Sequence, residues 1–205
     1  ISAWYGLMKI CEPKTGETVC VDAASGAVGS VVGQLAKLKG MHVVGIAGGV
    51  EKCAYVKNEL GFDDCIDYKA FPDPKAFYGA LKAVTPRGID CHFENVGGTI
   101  MDAVMLRMNA FGRVAMCGMI SGYNGAPIPM MAPQLILQSR LKFQGFIVSE
   151  HMNLWPEGLT ELGGYVASGK IKFRESIAHG LANAPQSFLD LLKGKNFGKQ
   201  LVKLV

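Results

Sequence analysis

The sequence predicts an α/β domain built on a doubly wound parallel sheet with strand order 3-2-1-4-5-6. Three observations lead there. Short β-branched runs alternate with helical patterns at the spacing of βαβ units, the first run breaks into a small-residue turn that opens a helix, and a complete second βα unit follows. Parallel strands need crossovers, and helices on both faces cover the sheet.

Residues 18–22 (TVCVD) read as the first buried strand. It breaks into Ala24-Ser25-Gly26-Ala27-Val28-Gly29, a dinucleotide-binding turn with its first glycine replaced by alanine. Gly26 lets backbone approach a pyrophosphate and Gly29 lets the next helix pack closely, with the phosphates on the free N–H groups at the helix start. Val31, Val32, Leu35, Ala36 and Leu38 recur at helical spacing, and Gly40 closes that helix. Residues 41–47 are a second strand, 50–60 a helix ending at Gly61, and 65–68 a third strand. Asp73 and Pro74 mark the start of a helix over 74–84. A fourth strand at 89–94, a helix over 98–108 and a fifth strand at 112–117 follow. The Gly/Pro-rich stretch 118–133 comes after a strand's carboxyl end, where such sheets bind ligands, and is expected to be a lid or site wall. A short helix at 134–139, a sixth strand at 141–148, a helix over 155–168 stopped by Gly169, an extended run at 171–177, a helix over 184–192 and a last strand at 199–204 complete the chain.

The 205 residues are 49% hydrophobic and 19% charged, which describes a folded chain able to bury a core. A net charge of +4 without a basic block gives no reason to expect nucleic acid or a membrane surface as partner. No apolar run reaches the length of a membrane span, and the N-terminus lacks signal-peptide features. Cys11, Cys20, Cys53, Cys65, Cys91 and Cys117 are scattered singly, without a CxxC pair, so neither a zinc ribbon nor a redox dithiol is indicated and a reducing cytoplasm is expected. The chain begins at Ile1, and a domain excised from a longer enzyme is expected.

NAD-binding domains carry Asp or Glu at the end of the second strand to grip the ribose 2′-hydroxyl. Here that place reads Ala47-Gly48-Gly49, which leaves room for a 2′-phosphate, and Lys52 follows on the next helix. The pair favours NADP over NAD. His42, His92, His151 and His179 have no Cys or carboxylate partner at catalytic spacing, and no Ser-His-Asp arrangement or GxSxG elbow occurs, so no metal ligand or histidine base is nominated.

The segments AASGAVGSVVGQLAKLKG, VVGIAGGVEKC, ENVGG, GRVAMCGMISGYN and LLKGKNFGKQLVK together resemble the zinc-independent medium-chain reductases, the group of the prostaglandin and curcumin reductases. The resemblance spans essentially the whole chain. It implies NADPH-dependent reduction of the carbon–carbon double bond of an α,β-unsaturated aldehyde or ketone on a Rossmann domain. It further implies that Gly26, Ala27, Val28 and Gly29 form the pyrophosphate turn, that Lys52 and Tyr68 flank the 2′-phosphate, and that Asn95 lies near the cofactor ribose. Cys117, Gly118, Met119, Ile120, Ser121, Gly122 and Tyr123 would run past the nicotinamide, bordered by Phe146, Ile147 and Val148, with Asn196 reaching in from the late loop. Tyr123 would donate a hydrogen bond to the substrate oxygen.

Members of this group carry an N-terminal substrate domain ahead of the position of Ile1. Residues 1–205 would then be the NADP-binding domain, with 1–14 and 199–205 contacting the absent part, and alone would bind NADPH with little turnover. A quinone reductase of the same superfamily, or a non-catalytic NADP(H)-sensing module, are the alternatives. The strand at 141–148, if at a sheet edge, would support a homodimer.

Overall fold

The computed structural model describes residues 1–125 and 127–204. The β-branched run Thr18–Val21 forms β1, fully buried near the middle of a six-stranded parallel sheet. In chain order follow α2 (Gly29–Leu38), β2 (His42–Ala47), α3 (Val50–Asn58), β3 (Asp64–Asp67), α4 (Pro74–Val84), β4 (Ile89–Glu94), α5 (Gly98–Met105), β5 (Met108–Met116), α6 (Gln134–Gln138), β6 (Lys142–Gly145) and α7 (Trp155–Ala167). Ahead of them, α1 (Ser2–Tyr5) continues as a π-helical turn to Cys11. The strand order is β3-β2-β1-β4-β5-β6, all parallel, which is the predicted doubly wound sheet.

Period-two alternation sorts the side chains into two cores. Val19 and Val21 face a core shared with Trp4, Leu7 and Ile10 of the N-terminal helix and Val32 and Leu35 of α2. Cys20 faces the opposite core, with Phe77 and Leu81 of α4 and Ile100 and Val104 of α5. Glu161 on α7 fastens the first layer: it accepts from Trp4 Nε1 (2.7 Å), Lys39 Nζ (2.8 Å) and the Tyr165 hydroxyl (3.1 Å).

Three regions depart from expectation by three residues or more, each through a contact distant in sequence. The fifth helix stops at Met105 rather than Met108, since Met108 pairs with Ile89 and is buried in the sheet; β5 therefore starts four residues early, with a register shift between Ile89 and Cys91. The sixth strand ends at Gly145, whose partner Met116 is the last residue of β5, so Phe146, Ile147 and Val148 continue beyond the ladder. The run at 171–177 is a strand only from Glu175, because Lys172 is held instead by the Gln34 side chain, amide to amide, at 2.8 Å in both directions. That strand, β7 (Glu175–His179), and the last one, β8 (Lys199–Lys203), are joined by α8 (Ala184–Leu192) and pair in parallel as a separate two-stranded sheet. Among the described residues no helix is long and apolar enough to cross a membrane.

Candidate functional site

The glycine turn begins with Ala23, which adopts a left-handed conformation (φ 43°) that turns its carbonyl back over the turn. That oxygen accepts from Gly26 N at 2.8 Å, and a Cβ on Gly29 would lie 2.5 Å from it, so only glycine fits at the start of α2. The unusual Ala24 is also accounted for: its methyl occupies space beside Gly45 of β2, where a Cβ would approach within 2.9 Å. The late loop crosses this turn. Gly198 N donates to Ser25 O at 3.0 Å, and Gly198 bridges to Gly26 in parallel.

Between turn and loop lies a cavity of about 480 Å³ at the carboxyl ends of the strands, a volume suited to a small organic ligand. It gathers Gly26, Ala27, Lys52, Tyr68, Ile120, Ser121 and Asn196 of the expected residues. Its lining contains four lysines, Lys52, Lys69, Lys193 and Lys199, and among the described residues no carboxylate. Lys52 reaches across the mouth, its Nζ donating to Gly194 O at 2.7 Å; burial and the neighbouring Lys69 charge lower its pKa against the opposing Glu51. The absent acid after β2 leaves Gly48, whose hydrogen faces Tyr68: a Cβ there would meet the ring at 2.8 Å and the Lys69 side chain at 3.0 Å. Asp67, at the end of β3, accepts from both Gly49 N (2.7 Å) and Lys69 N (3.0 Å), locking the glycine platform to the turn that carries Tyr68 and Lys69.

The other expected residues surround the cavity without lining it. Val28 caps α2 and Gly29 begins it. Asn95 directs its side-chain nitrogen to Asp22, at 3.0 Å from Oδ1. Cys117 and Gly118 both donate N–H to Glu94 O, at 2.9 and 3.1 Å, and burial pushes the Cys117 thiol up to about 11. Met119 N donates to the Tyr123 hydroxyl at 3.3 Å, while Gly122 closes a short 3₁₀ turn; Tyr123 itself is 61% exposed. Phe146 packs against Tyr5 and Phe93, Ile147 is exposed, and Val148 O accepts from Trp155 Nε1. The Gly/Pro-rich stretch is a site wall: Ile120 and Ser121 line the cavity, and Ile128 folds back over Gly97 and Gly122, although Ala126 lies outside the described residues.

Sequence spacing missed the histidine partners. His92 Nε2 lies 3.0 Å from Glu94 Oε2, two residues along one strand face, and His42 and His151 pair with Asp63 and Tyr5 across elements. It also missed Lys69, next to Tyr68, and Lys193 and Lys199, which lie inside the segment LLKGKNFGKQLVK.

A doubly wound sheet whose glycine turn opens onto a lysine-lined cavity, with small residues where an NAD domain carries its acid, defines an NADP(H)-binding domain. The chain belongs to the zinc-binding dehydrogenase family, whose model matches residues 27–163, and within it to the zinc-independent medium-chain reductases. It is 47% identical over 206 residues to prostaglandin reductase 1 of Rattus norvegicus, covering 99% of this chain and 61% of the relative. It is 43% identical over 203 residues to the NADP-dependent 2-alkenal reductase of Nicotiana tabacum, covering 98% and 58%. The structure of CurA from Vibrio vulnificus in complex with NADPH superposes with a TM-score of 0.94 at 46% identity, over all of this chain and 61% of that one. The chain thus spans about 60% of the length of these relatives.

The family description mentions zinc, and among the described residues one group of potential ligands converges, Asp22, His92 and Glu94. All three are buried and already engaged by protein donors: Glu94 Oε1 accepts from Val96 N and Gly97 N, Asp22 Oδ1 from Asn95 N, and His92 Nδ1 faces Cys20 O. The atoms that converge are the remaining ones, His92 Nε2, Glu94 Oε2 and Asp22 Oδ2, and a metal between them would break the His92–Glu94 hydrogen bond (3.0 Å) and take Asp22 Oδ2 from Val96 N (3.2 Å) for only three ligands, so this donor set does not fit a resident zinc.

Proposed function

We propose that this chain is the cofactor-binding part of an NADPH-dependent reductase acting on the carbon–carbon double bond of α,β-unsaturated aldehydes and ketones. The observation that carries the reading is the carboxylate-free, four-lysine cavity opening beside the Tyr123 loop. The names of the 2-alkenal and prostaglandin reductases support the substrate class.

Bound NADPH supplies the hydride. The lysines hold its phosphates, Gly26 and Gly29 let the backbone approach them, and Asn196 reaches the cavity from the loop that Gly198 pins to Gly26. As charge develops on the substrate carbonyl oxygen, Tyr123 donates to it. Met119 N–H occupies an acceptor position on the Tyr123 oxygen and leaves the phenolic proton free for that purpose. A phenol suits the role because it is neutral near pH 7.

The remaining length found in the relatives is proposed to complete the substrate pocket, with residues 1–14 and 199–204 toward it; Val205 lies outside the described residues. Exposed Leu181, Phe188 and Leu204 support a covered face there. The β6 strand ends the sheet and supports a homodimer by edge pairing, and six free cysteines, four of them buried, support a reducing cytoplasmic setting.

Two measurements test the reading. This polypeptide should bind NADPH more tightly than NADH and show little turnover by itself. The longer protein should oxidise NADPH with a 2-alkenal faster than with a quinone, and the reverse preference would replace this reading with a quinone reductase.

A further inference from the structure

We propose that Glu94 is a positioning residue for the nicotinamide-side loop: with His92 and Asp22 it forms a buried acid–base cluster that sets the 95–97 turn and, through it, residues 117–123. The proposal rests on the reading above that this loop borders the nicotinamide.

The cluster follows from strand register. Cys20 pairs with His92, which brings Asp22, one residue past β1, beside Glu94, the last residue of β4. All three side chains are buried on the face toward α5. Glu94 Oε1 accepts from Val96 N and Gly97 N, both at 2.6 Å. Asp22 accepts from Asn95 N at 2.7 Å through Oδ1 and from Val96 N at 3.2 Å through Oδ2. Every amide N–H of the turn thus points inward onto a carboxyl group. Gly97 and Gly98 then adopt left-handed conformations, φ 79° and 65°, that let the chain leave for α5.

Inward amides leave the turn's carbonyls facing the loop, which is built on them. Glu94 O takes Cys117 N and Gly118 N, Asn95 O takes Ile120 N at 3.0 Å, and Val96 O takes Ser121 N at 3.1 Å and Ser121 Oγ at 2.6 Å. Tyr123 closes on the same loop, its N donating to Ile120 O at 3.3 Å and its hydroxyl accepting from Met119 N. A continuous chain of hydrogen bonds therefore runs from the Glu94 carboxylate to the Tyr123 phenol.

His92 orients Glu94. Its Nδ1 faces Cys20 O at 3.0 Å and its Nε2 faces Glu94 Oε2 at 3.0 Å, which leaves Oε1 turned toward the two amides. Burial alone would raise the Glu94 carboxyl, but the His92 hydrogen bond and charge hold it at about 2, while burial and the adjacent Glu94 push Asp22 well above the usual range. One ionised and one neutral carboxyl group can share the site without mutual repulsion. A purely structural link between β1 and β4 would be made as well by apolar side chains, whereas this cluster has the particular property of aiming three amides away from the site and three carbonyls toward the loop.

The test is Glu94→Gln in this polypeptide, which preserves volume and removes the charge facing His92. Hydrogen exchange should accelerate about tenfold or more at 117–121 and stay within about twofold in β1 and β2. The dissociation constant for NADPH should rise about tenfold with loss of its bound-state fluorescence, while that for 2′,5′-ADP, a probe of the adenosine half alone, changes less than about twofold. Unchanged exchange at 117–121 would overturn the proposal, as would equal losses for both ligands or faster exchange throughout the sheet, which describe a merely structural group. His92→Gln, which frees Oε2 but leaves both amide contacts of Oε1, should reproduce the pattern more weakly and serves if the first variant does not fold; failure of both to fold assigns the cluster to stability and refutes positioning. In the wild-type chain NADPH should protect 117–121 from exchange. Absence of that protection refutes the nicotinamide reading itself, and is distinguished by appearing without any substitution.

Discussion

Replacing Lys52 by alanine should convert an NADPH-selective site into a nearly indifferent one. Lys52 is the cation that leaves α3 beside the glycine platform, and its Nζ is held 2.7 Å from Gly194 O across the cavity mouth. A contact between the ammonium and a phosphate, both charged, contributes about 1.5–3 kcal/mol, and giving up the bond to the uncharged Gly194 carbonyl costs about 1 kcal/mol. The net of about 0.5–2 kcal/mol corresponds to a roughly 2- to 30-fold rise in the NADPH dissociation constant. Lys69 lines the same cavity, so binding weakens without being abolished, and Lys52→Ala combined with Lys69→Ala should lose more than either alone. NADH has no 2′-phosphate and should respond less than about twofold. The assay is a fluorescence titration with each nucleotide at low and high salt, because the wild-type preference should shrink as ionic strength screens a partly exposed cation. Equal losses for NADPH and NADH would refute the argument and show that Lys52 acts only by tethering the Gly194 loop.

Gly198→Ala should weaken NADPH binding more than about tenfold with the six-stranded sheet intact by circular dichroism, since φ is 69° and a Cβ would lie 1.9 Å from Arg174 O. In the longer protein, Tyr123→Phe should lower kcat by about 10- to 100-fold with a small change in KM for NADPH; an unchanged kcat removes Tyr123 from the reaction. Glu161→Gln should cost about 1–2 kcal/mol at pH 7, read by urea unfolding, because the carboxylate pairs with Lys39 and accepts from Trp4. Burial raises the Glu161 pKa but Lys39 and Trp4 outweigh it and leave it lowered, so its stabilisation is complete above the unfolded value of about 4.3 and is lost as pH falls below it. The difference between wild type and variant should therefore vanish in acid, and a difference that persists at low pH would point to packing instead.

Much of the sheet was legible because buried parallel strands read as continuous runs. TVCV and HVVGIA declare themselves, and Asp73-Pro74 marks the start of α4, where Asp73 accepts from Ala76 N as a cap. What stayed hidden depends on neighbours distant in sequence. Met108 could extend a helix or begin a strand, and only its pairing with Ile89 decides. The runs ESIAH and KQLVK alternate as strands should, yet nothing in either states that they pair with each other rather than with the main sheet. In the site, the glycine turn, Lys52, Tyr68 and Asn196 could be named because each lies in a recognisable segment. The Asp22–Glu94 encounter requires the register of β1 against β4, and the lysine lining gathers Lys52 of α3, Lys69 after β3, Lys193 after α8 and Lys199 of β8, so neither leaves a single local mark.

The bridge between Gly26 and Gly198 gives the cofactor site a place in time as well as in space. On a ribosome the glycine turn emerges well before the late loop, and β1 to β6 can assemble before the last fifth of the described chain exists. The site's second wall arrives only with Gly194, Asn196 and Gly198. A nascent chain halted before them should fold its main sheet yet fail to retain NADPH, so competence to hold the cofactor becomes a signal that synthesis has passed residue 198. Arrested chains of increasing length, assayed for NADPH retention, should show a step there and not a gradual rise.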